Sequence, residues 1–294
     1  MVDEVGVRLD KYVAEKCPEL SRTQAQKLVA DGNITVNDHV AKAGVKLHVG
    51  DRVNIILPPP PPSPLSPEAI PLNILYEDND LLVIDKPAGL SIHPAPGHYS
   101  HTLVNAILAY LPSLPESDDS LRPGIVHRLD KDTSGVMVVA KNSVAQASLI
   151  NQFKARSVAK AYLVLVKGRL VPGEGVIEAP IGRDPRNRKR MAVVAEGKEA
   201  RTQYFVIKHV GDYTLVEVRP ETGRTHQIRV HLSAIGYPVV GDPVYGVKSP
   251  HLSRPFLHAC RLGFQSPSTG EYIEFTSALP PDLEQALKDI AQSL

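Results

Sequence analysis

Residues 127–135 read His-Arg-Leu-Asp-Lys-Asp-Thr-Ser-Gly and run directly into Val136-Met137-Val138-Val139-Ala140. The apolar run has the pattern of a strand buried on both faces. Asp130 therefore sits between Arg128 and Lys131 at the mouth of a buried strand. Holding an ionised carboxylate there costs desolvation energy, a cost chains seldom carry without a use for the charge. A carboxylate of this kind serves as nucleophile or general base. The alternative is a solvated loop with incidental ion pairs. Asp130 and Asp132 together also allow a two-carboxylate or metal-assisted hydrolase, but Arg128 and Lys131 crowd them with positive charge and no third acidic ligand lies nearby. Asp132 and Thr133 are expected to hold the loop by side-chain-to-backbone hydrogen bonds.

A second polar cluster, Arg183, Arg186, Arg188, Lys189 and Arg190, surrounds Pro185 and Asn187 and reads as a basic loop. Its functional reading, with Arg186, Arg188, Lys189 and Arg190 foremost, is an arm that grips phosphates near the reactive carboxylate. Otherwise it is a solvated loop. The phosphate-loop and dinucleotide glycine patterns are absent, and His226 and His231 lack zinc-site spacing.

The elements that must position these groups fall into two parts. Residues 1–57 read as a small α+β module. Leu9, Tyr12 and Val13 have helical spacing, Ser21 and Gln24 form a capping box, and Ala25, Leu28 and Val29 form a second apolar stripe that ends near Gly32. Ile34 and Val36 alternate as a strand, Asn37-Asp38 turns, and Val53, Ile55 and Leu57 alternate again. Arg22, Gln26 and Lys27 share the face opposite the stripe, where they are either wet surface or phosphate contacts. Residues 58–69 form a proline-rich linker, expected as extended polyproline II; a peptide ligand for proline-binding domains is the alternative.

From about residue 70 strand patterns dominate: Ile74–Tyr76, Leu81–Ile84, Val136–Ala140, Tyr162–Val166, Val193–Val194, Tyr204–Ile207, Tyr213–Val218 and Tyr272–Phe275. Helical stripes interrupt them at Ala145, Leu149 and Phe153, behind a cap at Ser143, and at Ile228, Leu232 and Ile235. Regular strand–helix alternation is missing. The expected fold is α+β: residues 70–294 form a domain around a large mixed, mostly antiparallel sheet.

Composition narrows the classes further. The chain has 294 residues, 43% of them hydrophobic, and a formal net charge of +1. The near-neutral charge argues against indiscriminate coating of nucleic acid while allowing a local basic face. No apolar run approaches the ~20 residues of a membrane span. Cys17 and Cys260, the only cysteines, form no metal or disulfide pattern. These features lead to the expectation of a cytoplasmic monomer with no membrane partner and no cofactor.

His127-Arg128-Leu129-Asp130-Lys131-Asp132-Thr133-Ser134-Gly135 resembles the signature of the RluA-type pseudouridine synthases. Leu82-Val83-Ile84-Asp85-Lys86-Pro87-Ala88-Gly89 with His93-Pro94, Lys160-Ala161-Tyr162, residues 223–231 and Phe256-Leu257-His258-Ala259 resemble that family's other motifs, in its order. Leu20–Val29 and Asp31–Asn37 resemble a small RNA-binding module first described in a small-subunit ribosomal protein. The pairing of the two resembles enzymes of the RluD type, which act on large-subunit ribosomal RNA; transfer RNA is the alternative substrate. The resemblance implies the pseudouridine synthase fold and an RNA-uridine isomerase that needs no redox step. Asp130 would be its catalytic carboxylate, attacking C1′ or removing the C2′ proton. Arg229, at the edge of its helix's buried face, is the cation expected to offset desolvation. Tyr162 would stack on the flipped uracil or take the C5 proton. Arg128 would refill the vacated RNA stack, Leu257 would form an apolar wall, and His127 would contact substrate. A non-catalytic RNA-binding or ribosome-assembly factor is the competing class; Asp130, Tyr162 and Arg229 argue against it.

Overall fold

The computed structural model describes residue 2 and residues 6–17, 20–57, 65–94, 100–112, 114 and 123–292. They form two compact units, Met1–Pro62 and Ser63–Leu294. The proline run at 58–62 and Pro64 lie outside the described residues.

The first unit holds α1 (Leu9–Lys16), α2 (Arg22–Ala30), β1 (Ile34–Val36), β2 (His39–Val40) and β3 (Val53–Ile55). Ser21 caps α2: its hydroxyl accepts from the Gln24 amide, and the Gln24 side chain accepts from the Ser21 amide. Asn37 and Asp38 both have positive φ, 52° and 64°, and close the β1–β2 hairpin. Leu9, Val13, Ala25, Val29 and Ile34 make the core. The third strand stops at Ile55, so Leu57 is exposed beyond it.

The second unit begins with β4 (Asn73–Glu77), β5 (Leu81–Lys86), α3 (Leu103–Tyr110), β6 (Ser134–Ala140), α4 (Ser143–Lys154) and β7 (Ala159–Lys167). It continues with β8 (Glu174–Glu178), β9 (Ile181–Arg183), β10 (Met191–Val193), β11 (Arg201–Val210) and β12 (Tyr213–Pro220). It ends with α5 (Gln227–Ala234), β13 (Leu257–Gln265), β14 (Tyr272–Thr276) and α6 (Pro281–Gln292). Nine strands form one sheet in the order β4-β5-β6-β13-β7-β12-β11-β8, with β14 paired to the far end of β13. Only the β6–β13 pair is parallel, so the sheet is mixed and mostly antiparallel, as expected. No described helix is long and apolar enough to cross a membrane.

Every residue of β6 is buried. Val136, Val138 and Ala140 pack on Ala145 and Leu149 of α4, while Met137 and Val139 pack on Leu103 and Ile107 of α3. Helices on both faces explain the unbroken apolar run. The cap of α4 is Asn142 rather than Ser143: its side-chain oxygen accepts from the Ala145 amide at 2.8 Å, placing Ser143 inside the helix. In α5, Ile228 and Leu232 are buried, but Ile235 is the exposed C-cap residue because the helix stops one residue earlier.

The site depends on how closely β6 and β13 approach. His258 pairs with Ser134 and Ala259 with Gly135. Gly135 has φ +119°, and a Cβ there would lie 2.2 Å from the Ala259 carbonyl oxygen. Gly135→Ala should therefore destabilise the second unit by about 3 kcal/mol or more in a denaturant titration. Gly173→Ala, with ordinary φ and nothing within 4 Å of its Cβ, should change stability by less than about 0.5 kcal/mol.

Candidate active site

Three adjacent strands and one helix assemble a cleft of about 530 Å³ in the second unit. Asp130 precedes β6, Leu257 opens β13, Tyr162 lies on β7 opposite Ala259, and Arg229 lies on α5. These four, with His127 and Arg128, line the same cleft. The structure thus brings together residues up to 130 positions apart in the chain, from His127 and Arg128 through Tyr162 and Arg229 to Leu257.

Arg229 is buried and divides its guanidinium between two carboxylates. Nε donates to Asp242 Oδ2 at 2.6 Å and Nη2 to Asp242 Oδ1 at 2.8 Å, while Nη1 donates to Asp130 Oδ2 at 3.1 Å. Burial opposes the charge on Arg229, but both carboxylates favour it and hold its pKa above the ordinary arginine value. Burial also opposes ionisation of Asp242. Arg229 and the amides of Val244 and Tyr245 outweigh it and keep that carboxyl below its usual range. Among the described residues the Asp130 carboxylate takes a single hydrogen bond, from Nη1, and it is one-fifth exposed, so one face of it remains open to the cleft. A buried bidentate pair thus holds a cation in place for a second, accessible carboxylate.

The Asp130 loop is braced from outside rather than by side chains of Asp132 or Thr133. The fully buried Lys86 ammonium donates to the carbonyls of Pro87, Leu90 and Lys131 at 2.7, 2.9 and 3.0 Å. Burial pushes Lys86 down to about 7, with Asp132 opposing that shift. The Gly89 amide donates to the Lys131 carbonyl at 2.9 Å, and Arg254 Nη1 to that of Asp132 at 3.2 Å. Thr133 takes part through its backbone N–H, which donates to the Asp130 carbonyl at 3.1 Å.

Tyr162 is half-buried beside Leu257 and Ala259. Burial, and secondarily Asp130, push its pKa upward, so the phenol keeps its proton at neutral pH. His127 stacks on Phe153 at 4.7 Å, and its Nε2 accepts from the Val138 amide at 3.0 Å. Burial pushes its pKa down to about 3. His127 is therefore a neutral part of the cleft wall. Arg128 is exposed at the cleft's rim.

The basic residues lie on the turn between β9 and β10. Arg186, Arg188 and Lys189 are exposed, whereas Arg190 lies half-buried over the Tyr245 ring at 5.2 Å. In the first unit, Lys27 is exposed. Arg22 Nε and Gln26 Nε2 donate to the buried Asp10 carboxylate at 3.0 and 2.6 Å, and Arg8 adds a bidentate pair. Arg22 and Gln26 thus border α1 rather than facing directly away from it; more than half of the Arg22 side chain remains exposed.

Asp242 and Tyr245 escaped the sequence reading, which weighed His226 only as a zinc ligand and as part of the 223–231 motif. The only available hint for Asp242 was its place after Val239-Val240-Gly241, a carboxylate following a buried apolar pair.

Residues 80–234 match the model of the RNA pseudouridylate synthase family, and residues 7–53 match that of the S4 domain. The chain is 45% identical to an uncharacterized RNA pseudouridine synthase, YlyB, of Bacillus subtilis, over 99% of this chain and 96% of that protein. It is 44% identical to ribosomal large subunit pseudouridine synthase D of Nitrosomonas europaea, over 97% of this chain and 85% of that protein. Among solved structures it resembles human RNA pseudouridylate synthase domain containing 1, with a TM-score of 0.60 and 31% identity over 77% of this chain and 95% of that one.

Arg229→Met leaves two carboxylates without their cation, one of them buried, and should cost about 3–5 kcal/mol of stability. Asp242 has a lower pKa folded than unfolded. Its contribution is therefore present above about pH 4 and is lost as pH falls through the folded value. Asp242→Asn should be less stable at pH 7 and should show a shallower loss of stability on acidification than the wild type, read by urea unfolding across pH.

Proposed function

We propose that this chain, which belongs to the RNA pseudouridine synthase family, isomerises specific uridines of structured large-subunit ribosomal RNA, with Asp130 as the reacting carboxylate. It is an isomerase of RNA uridine with an S4 domain near its N-terminus. The ribosomal assignment is supported by relatives named ribosomal large subunit pseudouridine synthase D, such as those of Nitrosomonas europaea and Xanthomonas campestris.

The observation that carries the catalytic assignment is the division of Arg229 between Asp242 and Asp130. The reaction breaks the N1–C1′ bond, turns the base, and forms a C5–C1′ bond; C5 loses a proton and N1 gains one. Both bonds belong to one nucleotide, so no oxidant or reductant enters the balance. An ionised carboxylate can add to C1′ or remove the C2′ proton, and the open face of Asp130 suits either course.

The target base must leave its stack to reach a carboxylate set inside a cleft. Leu257 and the Tyr162 ring offer it apolar surfaces. With its proton retained, Tyr162 is suited to stacking rather than to accepting the C5 proton. Arg128, at the rim, is placed to fill the gap the base leaves. The β9–β10 basic turn and the Arg22–Lys27 helix face supply phosphate contacts. Residues 1–57 provide affinity and target choice, the proline-rich stretch from residue 58 acts as a spacer, and residues 70–294 carry the chemistry. Residues 65–69, at the end of that stretch, pack on the second unit, where Leu65 is buried and the Glu68 amide donates to the Asn105 carbonyl at 3.0 Å.

Asp130→Asn should reduce tritium release from RNA labelled at uridine C5 by more than about a thousandfold, with RNA affinity within about threefold of wild type. Release near the wild-type rate would exclude Asp130. A chain starting at Ile70 should retain turnover on concentrated short RNA and lose efficiency on folded RNA, with a shallower salt dependence of binding. Equal efficiency at low concentration would remove the targeting role of residues 1–57.

A further inference from the structure

His226 stands in the cleft beside Asp130 without a role in the reading above. It is the N-cap residue of α5 and has φ 56°, in the left-handed region. Non-glycine residues hold that conformation where surrounding structure imposes it, often at functional sites. Its side chain does not cap the helix. Instead Nδ1 lies 2.9 Å from the Tyr245 hydroxyl, and Nε2 faces Asp130 Oδ2 from 4.0 Å.

The Tyr245 hydroxyl settles the histidine's tautomer. Tyr245 is buried, and its oxygen accepts from the Met191 amide at 2.8 Å. It has one proton to give. If Nδ1 carried a hydrogen, that N–H would also point at the phenol oxygen, and the phenol proton would have no acceptor among the described residues. If Nδ1 accepts, every donor and acceptor in the chain Met191 N–H, Tyr245 O–H, His226 Nδ1 is used. The imidazole hydrogen then resides on Nε2, pointing towards a carboxylate. Burial favours the neutral ring, and Asp130 opposes that shift.

The distance from Nε2 to Asp130 is too long for a hydrogen bond. The N–H is therefore aimed into the space next to the reacting carboxylate, with no acceptor of its own among the described residues. Two contacts hold Tyr245 there: its ring lies under the Arg229 guanidinium at 5.1 Å, and its amide donates to Asp242 at 3.1 Å. The same residues that fix the cation for Asp130 thus fix the imidazole.

We propose that His226 is a further catalytic residue of the site, donating a hydrogen bond from Nε2–H to an oxygen of the target uridine, and that Tyr245 is the positioning residue that sets its tautomer. This rests on the assignment of Asp130 as the reacting carboxylate. The uridine oxygens within the required chemistry are the uracil carbonyls and the ribose 2′-hydroxyl, each of which accepts from a neutral N–H.

Substitutions at His226 separate this role from a purely structural one. Asparagine tolerates the left-handed backbone well but ends near the Nδ1 position. Glutamine is less suited to that backbone but extends an N–H2 donor to the region of Nε2. Donation predicts that His226→Gln keeps single-turnover tritium release within about threefold of wild type, while His226→Asn loses about tenfold or more. A backbone role alone predicts the reverse order. Tyr245→Phe should slow wild type by several fold, and should have little further effect in His226→Asn.

The tautomer can be read in the wild-type protein without any activity measurement, by long-range nitrogen–proton correlation on the histidine-labelled chain. The His226 resonances are identified by their loss in His226→Asn. Protonation at Nε2, together with Gln above Asn in rate, is the expected result. Protonation at Nδ1, or an Asn variant as fast as wild type, would overturn the inference. An inactive Asp130→Asn alongside a fully active His226→Asn removes only this inference, whereas an active Asp130→Asn removes the reading beneath it.

Discussion

Arg229 carries one charge and serves two carboxylates, and the architecture around the cleft follows from that sharing. A lone guanidinium in a buried place would cost several kcal/mol. Asp242 removes that difficulty. It takes the Nε and Nη2 hydrogens in a bidentate bond, accepts two backbone amides itself, and leaves Nη1 for Asp130. The cation is then a fixed feature of the protein rather than a mobile side chain, and it need not reorganise when charge changes on Asp130.

Three structural features keep that geometry in register. The parallel approach of β6 to β13, which Gly135 permits, sets the loop beside Leu257. Lys86, Gly89 and Arg254 hold the loop by its carbonyls, so its conformation does not depend on the side chains that face the cleft. The helix α5 carries Arg229 on its buried side because Ile228 and Leu232 anchor it to Val164, Val166, Val216 and Val218 of the central strands.

Much of this was legible in the sequence, because local patterns carried it. The seven buried residues of β6 announced themselves as an uninterrupted apolar run. The Ser21–Gln24 capping box and the Asn37-Asp38 turn appear where the residue types demand them. Asp130 stood out because a carboxylate among cations before a buried strand is expensive, and Arg229 because it is a charge next to an apolar stripe. What stayed hidden depends on distant pairing. Asp242 is 13 residues from Arg229 and 112 from Asp130, and nothing local marks it as the residue that binds the fork. Tyr245 reads as an ordinary aromatic until its hydroxyl is seen between Met191 and His226. The strands β8 and β9 are short and partly exposed, and so lack a strong periodic signal. Arg22 and Gln26 looked like free surface because their partner, Asp10, lies on another helix.

The fork of Arg229, and not merely its charge, sustains Asp130, and single-turnover conversion of a uridine-containing RNA by Arg229→Lys distinguishes the two. A lysine keeps the positive charge but, as a compact point charge, cannot give Asp242 two parallel bonds and Asp130 a third from the opposite edge. Arg229→Lys should lower the conversion rate by about a hundredfold or more, with RNA affinity unchanged within about twofold and the fold retained. Conversion by a folded Arg229→Lys at close to the wild-type rate would contradict it.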